Sequence, residues 1–243
     1  MKRAALVLLV VLIGPMLAWS QGDPLAWLNG VRRDAGAPPL QSEAVLCRTA
    51  REWAAVLARA GVLGHRGSDG STALDRYRAF GGTEIRVGEI LGAGPRLDDV
   101  ERGWMRSDEH RALVLAPWWT HAGWGTGSAG GKEVWVILFC QKIVDELRVE
   151  PGDSVLSLSG RFGAADAARP VLLAGLERVP PESWDPVSRR FRFLVSGTAR
   201  SGYLRLGYES PDRTFRLTNA FTLPAGKESP EAQARFSPPA PSP

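Results

Sequence analysis

Two imidazoles and one carboxylate on separate segments carry most of the chemistry this sequence can offer. His65 lies in Gly64-His65-Arg66-Gly67-Ser68-Asp69-Gly70, Glu89 in Gly88-Glu89-Ile90-Leu91, and His110 in Trp104-Met105-Arg106-Ser107-Asp108-Glu109-His110-Arg111. The chain has only three histidines, so two of them in such segments is informative. If a fold brings the three groups together, neutral imidazoles and a carboxylate match the donors of a zinc or other divalent metal site with an open position, where bound water is acidified. Without metal, the same groups can share a proton, the carboxylate favouring the imidazolium. They can also form a hydrogen-bonded brace. The third histidine, His121 in Trp118-Trp119-Thr120-His121, reads as an ordinary partly buried residue leading into a strand. Ser107 beside His110 lacks an evident oxyanion hole and is the weaker nucleophile candidate.

The elements that must position these groups are legible as signals. Asp23 before Pro24 starts a helix and Gly36 stops it. A second helix is predicted over 42–60, with Leu46, Ala50, Trp53 and Leu57 as its buried stripe. Shorter helices are predicted over 74–80 and 98–107, the latter with Val100 and Trp104 on one face. Strands are predicted over 85–91, 121–126 and 133–141. In the last, Val134, Val136, Leu138 and Cys140 alternate with Trp135, Ile137 and Phe139, which describes a central strand covered by helices on both faces.

From about residue 144 the texture changes to strands alone. Leu156, Leu158 and Phe162 share one face; Phe191, Phe193 and Val195 share another; Phe215, Leu217, Phe221 and Leu223 share a third. Pro151-Gly152-Asp153, Ser201-Gly202 and Ser210-Pro211-Asp212 separate the runs, as in a small antiparallel, Ig-like sandwich. This region has no His and no Cys, so it reads as a structural or adhesive module. The expected organisation is a leader at 1–20, a mixed α/β domain at 23–143, an all-β sandwich at 144–225 and a Pro-rich disordered tail at 226–243.

Lys2 and Arg3 precede a short apolar run that ends at Gly14-Pro15, and Ala18-Trp19-Ser20 supplies small residues for cleavage after Ser20. The run is too short for a permanent transmembrane anchor, so a secreted or periplasmic protein is expected. Without Lys2 and Arg3 the 28 basic and 26 acidic residues leave a net charge of +2, and no dense basic stripe suggests a nucleic acid partner. Cys47 and Cys140 either staple a helix to a strand or remain buried free thiols; two cysteines without a CxxC exclude a cysteine metal cage. Gly125-Thr126-Gly127-Ser128-Ala129-Gly130 fits G-x-G-x-x-G but opens no helix, so it reads as a hairpin loop. There is no Walker loop, G-x-S-x-G elbow or H-E-x-x-H.

An ordered series of segments resembles the CAP superfamily of SCP-like extracellular domains, in its bacterial form. It comprises Leu28-Asn29-Gly30-Val31-Arg32-Arg33-Asp34-Ala35-Gly36, Pro39-Leu40, His65 with Ser68-Asp69-Gly70-Ser71, Gly88-Glu89-Ile90-Leu91-Gly92-Ala93-Gly94, the Trp104 to Arg111 run and Ala122-Gly123-Trp124-Gly125. The likeness covers residues 23–142 and implies an α-β-α sandwich with a cleft lined by His65, Glu89 and His110. Ser107 stands where many members carry a second glutamate, Ile90 where they carry Asn, and Asp108-Glu109 where they carry Pro-Gly; Glu109 either adds a carboxylate to the cleft or caps a helix. The resemblance favours a binding module for a lipid, glycan or protein over its alternative, a metal-assisted hydrolase of envelope or extracellular substrates.

Overall fold

The computed structural model describes residues 23–129, 131–152, 155–196 and 202–222. The leader and the Pro-rich tail read from the sequence, and Leu223, lie outside the described residues. Asp23 caps α1 (Pro24–Asp34) by accepting from Leu25 N–H at 3.0 Å, with Pro24 opening the helix. β1 (Gln41–Ser42) leads to α2 (Ala44–Ala60), which ends at Gly61 in the left-handed region. Then follow α3 (Ala73–Ala79), β2 (Val87–Gly94), α4 (Leu97–Arg106), α5 (Asp108–Leu115), β3 (His121–Ala129) and β4 (Lys132–Cys140).

The first sheet has the order β1-β3-β4-β2, so β4 is an inner strand. Trp135, Ile137 and Phe139 pack with Leu28 of α1, Val100 and Trp104 of α4 and Val114 of α5. The alternate residues Val134, Val136, Leu138 and Cys140 pack with Leu46, Ala50, Trp53 and Leu57 of α2 and Tyr77 of α3. Helices thus cover both faces, as the two-sided apolar pattern requires.

Gly125 to Ala129 of the glycine-rich run are strand rather than hairpin loop, and Gly130 lies outside the described residues. Gly125 to Ala129 extend β3, because α2 lies directly on the strand. A Cβ on Gly123 would stand 2.3 Å from Cys47 N, one on Gly125 2.1 Å from Arg51 N, and one on Gly127 2.4 Å from Ala54 O. These neighbours are backbone and cannot turn aside. Gly125→Ala is therefore expected to cost about 1–3 kcal/mol or more through forced separation of helix and strand, read as a lowered urea midpoint.

The strand-only part contains β5 (Val144–Pro151), β6 (Val155–Phe162), β7 (Arg169–Ala174), β8 (Glu177–Val179), β9 (Pro181–Asp185), β10 (Arg190–Ser196), β11 (Tyr203–Glu209) and β12 (Phe215–Thr222). They form two antiparallel sheets, β5-β6-β10-β9 and β12-β11-β7-β8, which enclose one core of Leu158, Phe162, Phe193, Leu172, Leu204 and Leu206. The face expected in the last strand is different. Phe215 is 38% exposed, while Thr218, Asn219 and Ala220 are buried. Between Leu206 and Gly207 the register jumps from Asn219 to Leu217, leaving Thr218 as the extra residue of a bulge; its hydroxyl donates to Leu206 O at 3.0 Å. A bulge shifts the alternation by one residue, which strict period-two reading cannot anticipate.

On α4, Glu101 is half-buried, and burial, followed by the neighbouring Asp98, pushes its carboxyl up to about 7. A carboxyl whose folded pKa is raised holds its proton more tightly when folded. Its favourable contribution is therefore complete below pH 4.5 and lost as pH rises to about 7. Glu101→Gln is expected to stabilise the fold at pH 8 by on the order of 1 kcal/mol, after discounting for the solvent that still screens this half-exposed carboxyl, read as a higher melting temperature, and to leave it unchanged at pH 4.

Candidate functional site

A braced carboxylate lies at the centre of the site. Thr72 and Asp75 form a reciprocal capping box at the start of α3, which fixes where the next residue, Arg76, points. The Arg76 side chain is only 6% exposed and donates to Glu89 Oε2 at 2.7 Å. It also donates to Ser71 O at 3.0 Å and His65 O at 3.3 Å, and its guanidinium lies 3.8 Å from the centre of the Trp53 ring. Glu89 sits on β2 opposite Leu138, its side chain 3% exposed. The other oxygen, Oε1, is 2.8 Å from His65 Nδ1. A carboxylate only accepts, so Nδ1 donates, and in the neutral imidazole it is His65 Nε2 that keeps the lone pair. The His65 side chain is 57% exposed, so this imidazole is the part of the cluster that solvent or a ligand reaches.

The loop carrying His65 is itself tied. Gly67 N–H donates to Ser71 O at 2.9 Å, and Asp69 accepts from Ser71 N–H at 2.9 Å; hydrogen bonding from the Ser71 side chain, then from its N–H, holds the Asp69 carboxyl below its ordinary range. His65, Arg66, Thr72, Ala73 and Glu89 line a cavity of about 370 Å³.

His65 and Glu89 therefore meet, as the sequence suggested. His110 is not among the residues lining that cavity: its Nδ1 is 2.8 Å from Ser107 Oγ, and Ser107 caps α5 by accepting from His110 N–H at 3.5 Å. Among the described residues, no group of three or more His, Cys, Asp or Glu side chains is placed to hold a metal ion. Glu109 is exposed in the first turn of α5, where a carboxylate complements the helix dipole. Ile90 is fully buried against the α4 side of the sheet, so the position that is Asn in the resembling domains is core here. His121 is partly buried beside Thr120 Oγ1 at 2.9 Å, its pKa lowered by burial and then by Lys142. Cys47 and Cys140 are free thiols, and burial pushes the Cys140 thiol up.

Arg76 was not a sequence candidate. Its only local signal is the Thr72-x-x-Asp75 box, which places residue 76 one step into a helix beside the buried Tyr77.

The Cysteine-rich secretory protein family, CAP, matches residues 25–141, the segment that holds the first sheet, its five helices and this site. Residues 25–141 are a CAP domain. The uncharacterized protein YkwD of Bacillus subtilis (strain 168) is 28% identical over 115 residues, which are 47% of this chain and 44% of that protein. The chain thus spans less than half the length of that relative. An outer surface protein from Borrelia burgdorferi is 20% identical over 49% of this chain and 89% of its own, with a TM-score of 0.46. An extracellular protein containing a SCP domain from Bacillus anthracis str. Ames is 21% identical over 47% of this chain and 38% of its own, with a TM-score of 0.43. No helix among the described residues is long and apolar enough to cross a membrane. Within the CAP domain, Arg76 thus gives the Glu89 carboxyl a charged hydrogen-bond partner where almost no water reaches it.

Proposed function

We propose that the chain is an exported, non-catalytic binding module whose CAP cleft presents His65 to a lipid, glycan or protein ligand. The supporting observation is that both Glu89 oxygens are engaged, one by Arg76 and one by His65. A carboxylate so held orients an imidazole but is not free to accept a substrate proton. His65 Nε2 is the acceptor left over. A divalent ion, zinc first, is one ligand this nitrogen can take. With Glu89 committed, however, the cleft offers such an ion fewer than the three protein ligands of a catalytic zinc. Lettered A to G with C′ after C, the strand-only sheets read A-B-E-D and C′-C-F-G, which supports an Ig-like module beside the CAP domain.

Zinc content of the purified chain, beside folded His65→Ala and His110→Ala variants, tests the reading. The expected result is substoichiometric zinc in the wild type, with weak His65-dependent binding on titration. About one zinc per chain that is absent from both variants would overturn it and make the metal-assisted hydrolase the better account.

A further inference from the structure

The CAP cleft and the strand-only part are joined by more than the chain between them. Residues 83–85, between α3 and β2, pair with the edge strand β12. Ala220 N–H donates to Thr83 O at 2.8 Å, Ile85 N–H donates to Thr218 O at 3.3 Å, and Glu84 bridges Asn219 in antiparallel fashion. The fully buried Asn219 donates through Nδ2 to Thr83 Oγ1 at 2.9 Å. This pairing also explains why β2 begins at Val87 rather than at residue 85: the preceding backbone belongs to the other sheet's edge.

The segment so held leads straight to the site. Glu84 is 4% exposed and accepts from Tyr77 O–H at 2.5 Å and from Thr83 N–H at 3.3 Å. Tyr77 is buried next to Arg76 on α3, and a Cβ on Gly82 would already overlap the Tyr77 ring. Five residues past Glu84 stands Glu89. The covalent link has no slack either: Gln141 N–H donates to Arg86 O at 3.2 Å, Lys142 N–H to Thr120 Oγ1 at 2.7 Å, and Gly163 N–H to Ile143 O at 2.7 Å.

We propose that β12 sets the geometry of the cleft, with Asn219 as a positioning residue that acts on Glu89 and His65 through Thr83, Glu84, Tyr77 and Arg76. The strand-only part is then a structural component of the site rather than a spacer. The inference concerns the His65–Glu89 geometry and does not depend on what the cleft binds.

The test uses the full-length chain with Asn219→Ala and, because a buried change can prevent folding, the near-isosteric Thr83→Val, which removes the same bond from the CAP side. Two readouts are followed: the ¹⁵N shifts of the His65 ring, which report the Nδ1-protonated tautomer, and amide exchange at Arg76 and Tyr77. Tyr208→Phe, which removes the 2.9 Å bond to Asp166 elsewhere in the sandwich, is the control. Both variants are expected to shift the His65 ring toward a mixture of tautomers and to speed exchange on α3 about tenfold, while the control does neither. Folded variants with unchanged His65 shifts and unchanged α3 exchange would overturn the proposal. So would equal changes in the control, which would mark a general loss of stability.

Discussion

Arg76→Met is expected to destabilise the protein by about 3–5 kcal/mol, the cost of leaving a buried charge without its partner. The substitution keeps the length and apolar character of the stem against Trp53 but leaves the Glu89 carboxylate, 3% exposed, with only the imidazole of His65. In a chain of this size such a change lowers the melting temperature by roughly 10 °C. Glu89→Gln alone should also be damaging, because it strands the guanidinium. The double variant Arg76→Met/Glu89→Gln should recover part of the loss, since neither residue then carries charge. Urea denaturation of the four proteins yields the coupling energy. Additive single effects would show that the pair contributes nothing beyond its packing.

Arg32→Met should be of similar size for a different reason. Arg32 is completely buried, has no carboxylate partner among the described residues and instead donates to four carbonyls: Pro38 at 2.8 Å, Val114 at 2.6 Å, Ala116 at 3.1 Å and Trp119 at 3.4 Å. It thereby closes the C-terminal end of α5 and ties the following turn to α1. An apolar side chain leaves these oxygens without donors, at about 1–3 kcal/mol for each group that water cannot reach; with partial relaxation, about 3–5 kcal/mol in total is expected. Arg32→Lys should rescue little, because one ammonium cannot fan out to carbonyls on both sides of the turn. A stable Arg32→Lys variant with an unchanged urea midpoint would contradict this account.

The sequence made the elements with strong periodicity legible. The α2 stripe of Leu46, Ala50, Trp53 and Leu57 is buried as spaced, and the double alternation of β4 does face two helical layers. The contact between His65 and Glu89 was anticipated because an imidazole and a carboxylate on separate segments are the groups a fold would have to bring together. What escaped reading depends on tertiary contact. Arg76 looks like a solvated helix arginine until Glu89 is known to be buried opposite it. The face of β12 is set by the bulge at Thr218, which no local propensity announces. The helix α5 was missed because Ser107 ends one helix and caps the next, two roles that a single residue shows in sequence as one boundary.

The glycines of β3 have a consequence of scale. Gly123, Gly125 and Gly127 meet α2 near residues 46, 50 and 54, so two strand residues are matched by four helix residues. A helix advances about 6.0 Å over four residues, and a strand about 6.7 Å over two. The two rulers therefore agree closely but lose phase by about 0.7 Å at each step. Such a match acts as a vernier. It indexes the helix along the strand at one position, since a slip by a single residue would bring side chains instead of bare backbone over the glycines. It also limits its own length, because a fourth or fifth glycine would fall out of step with the helix it was meant to receive.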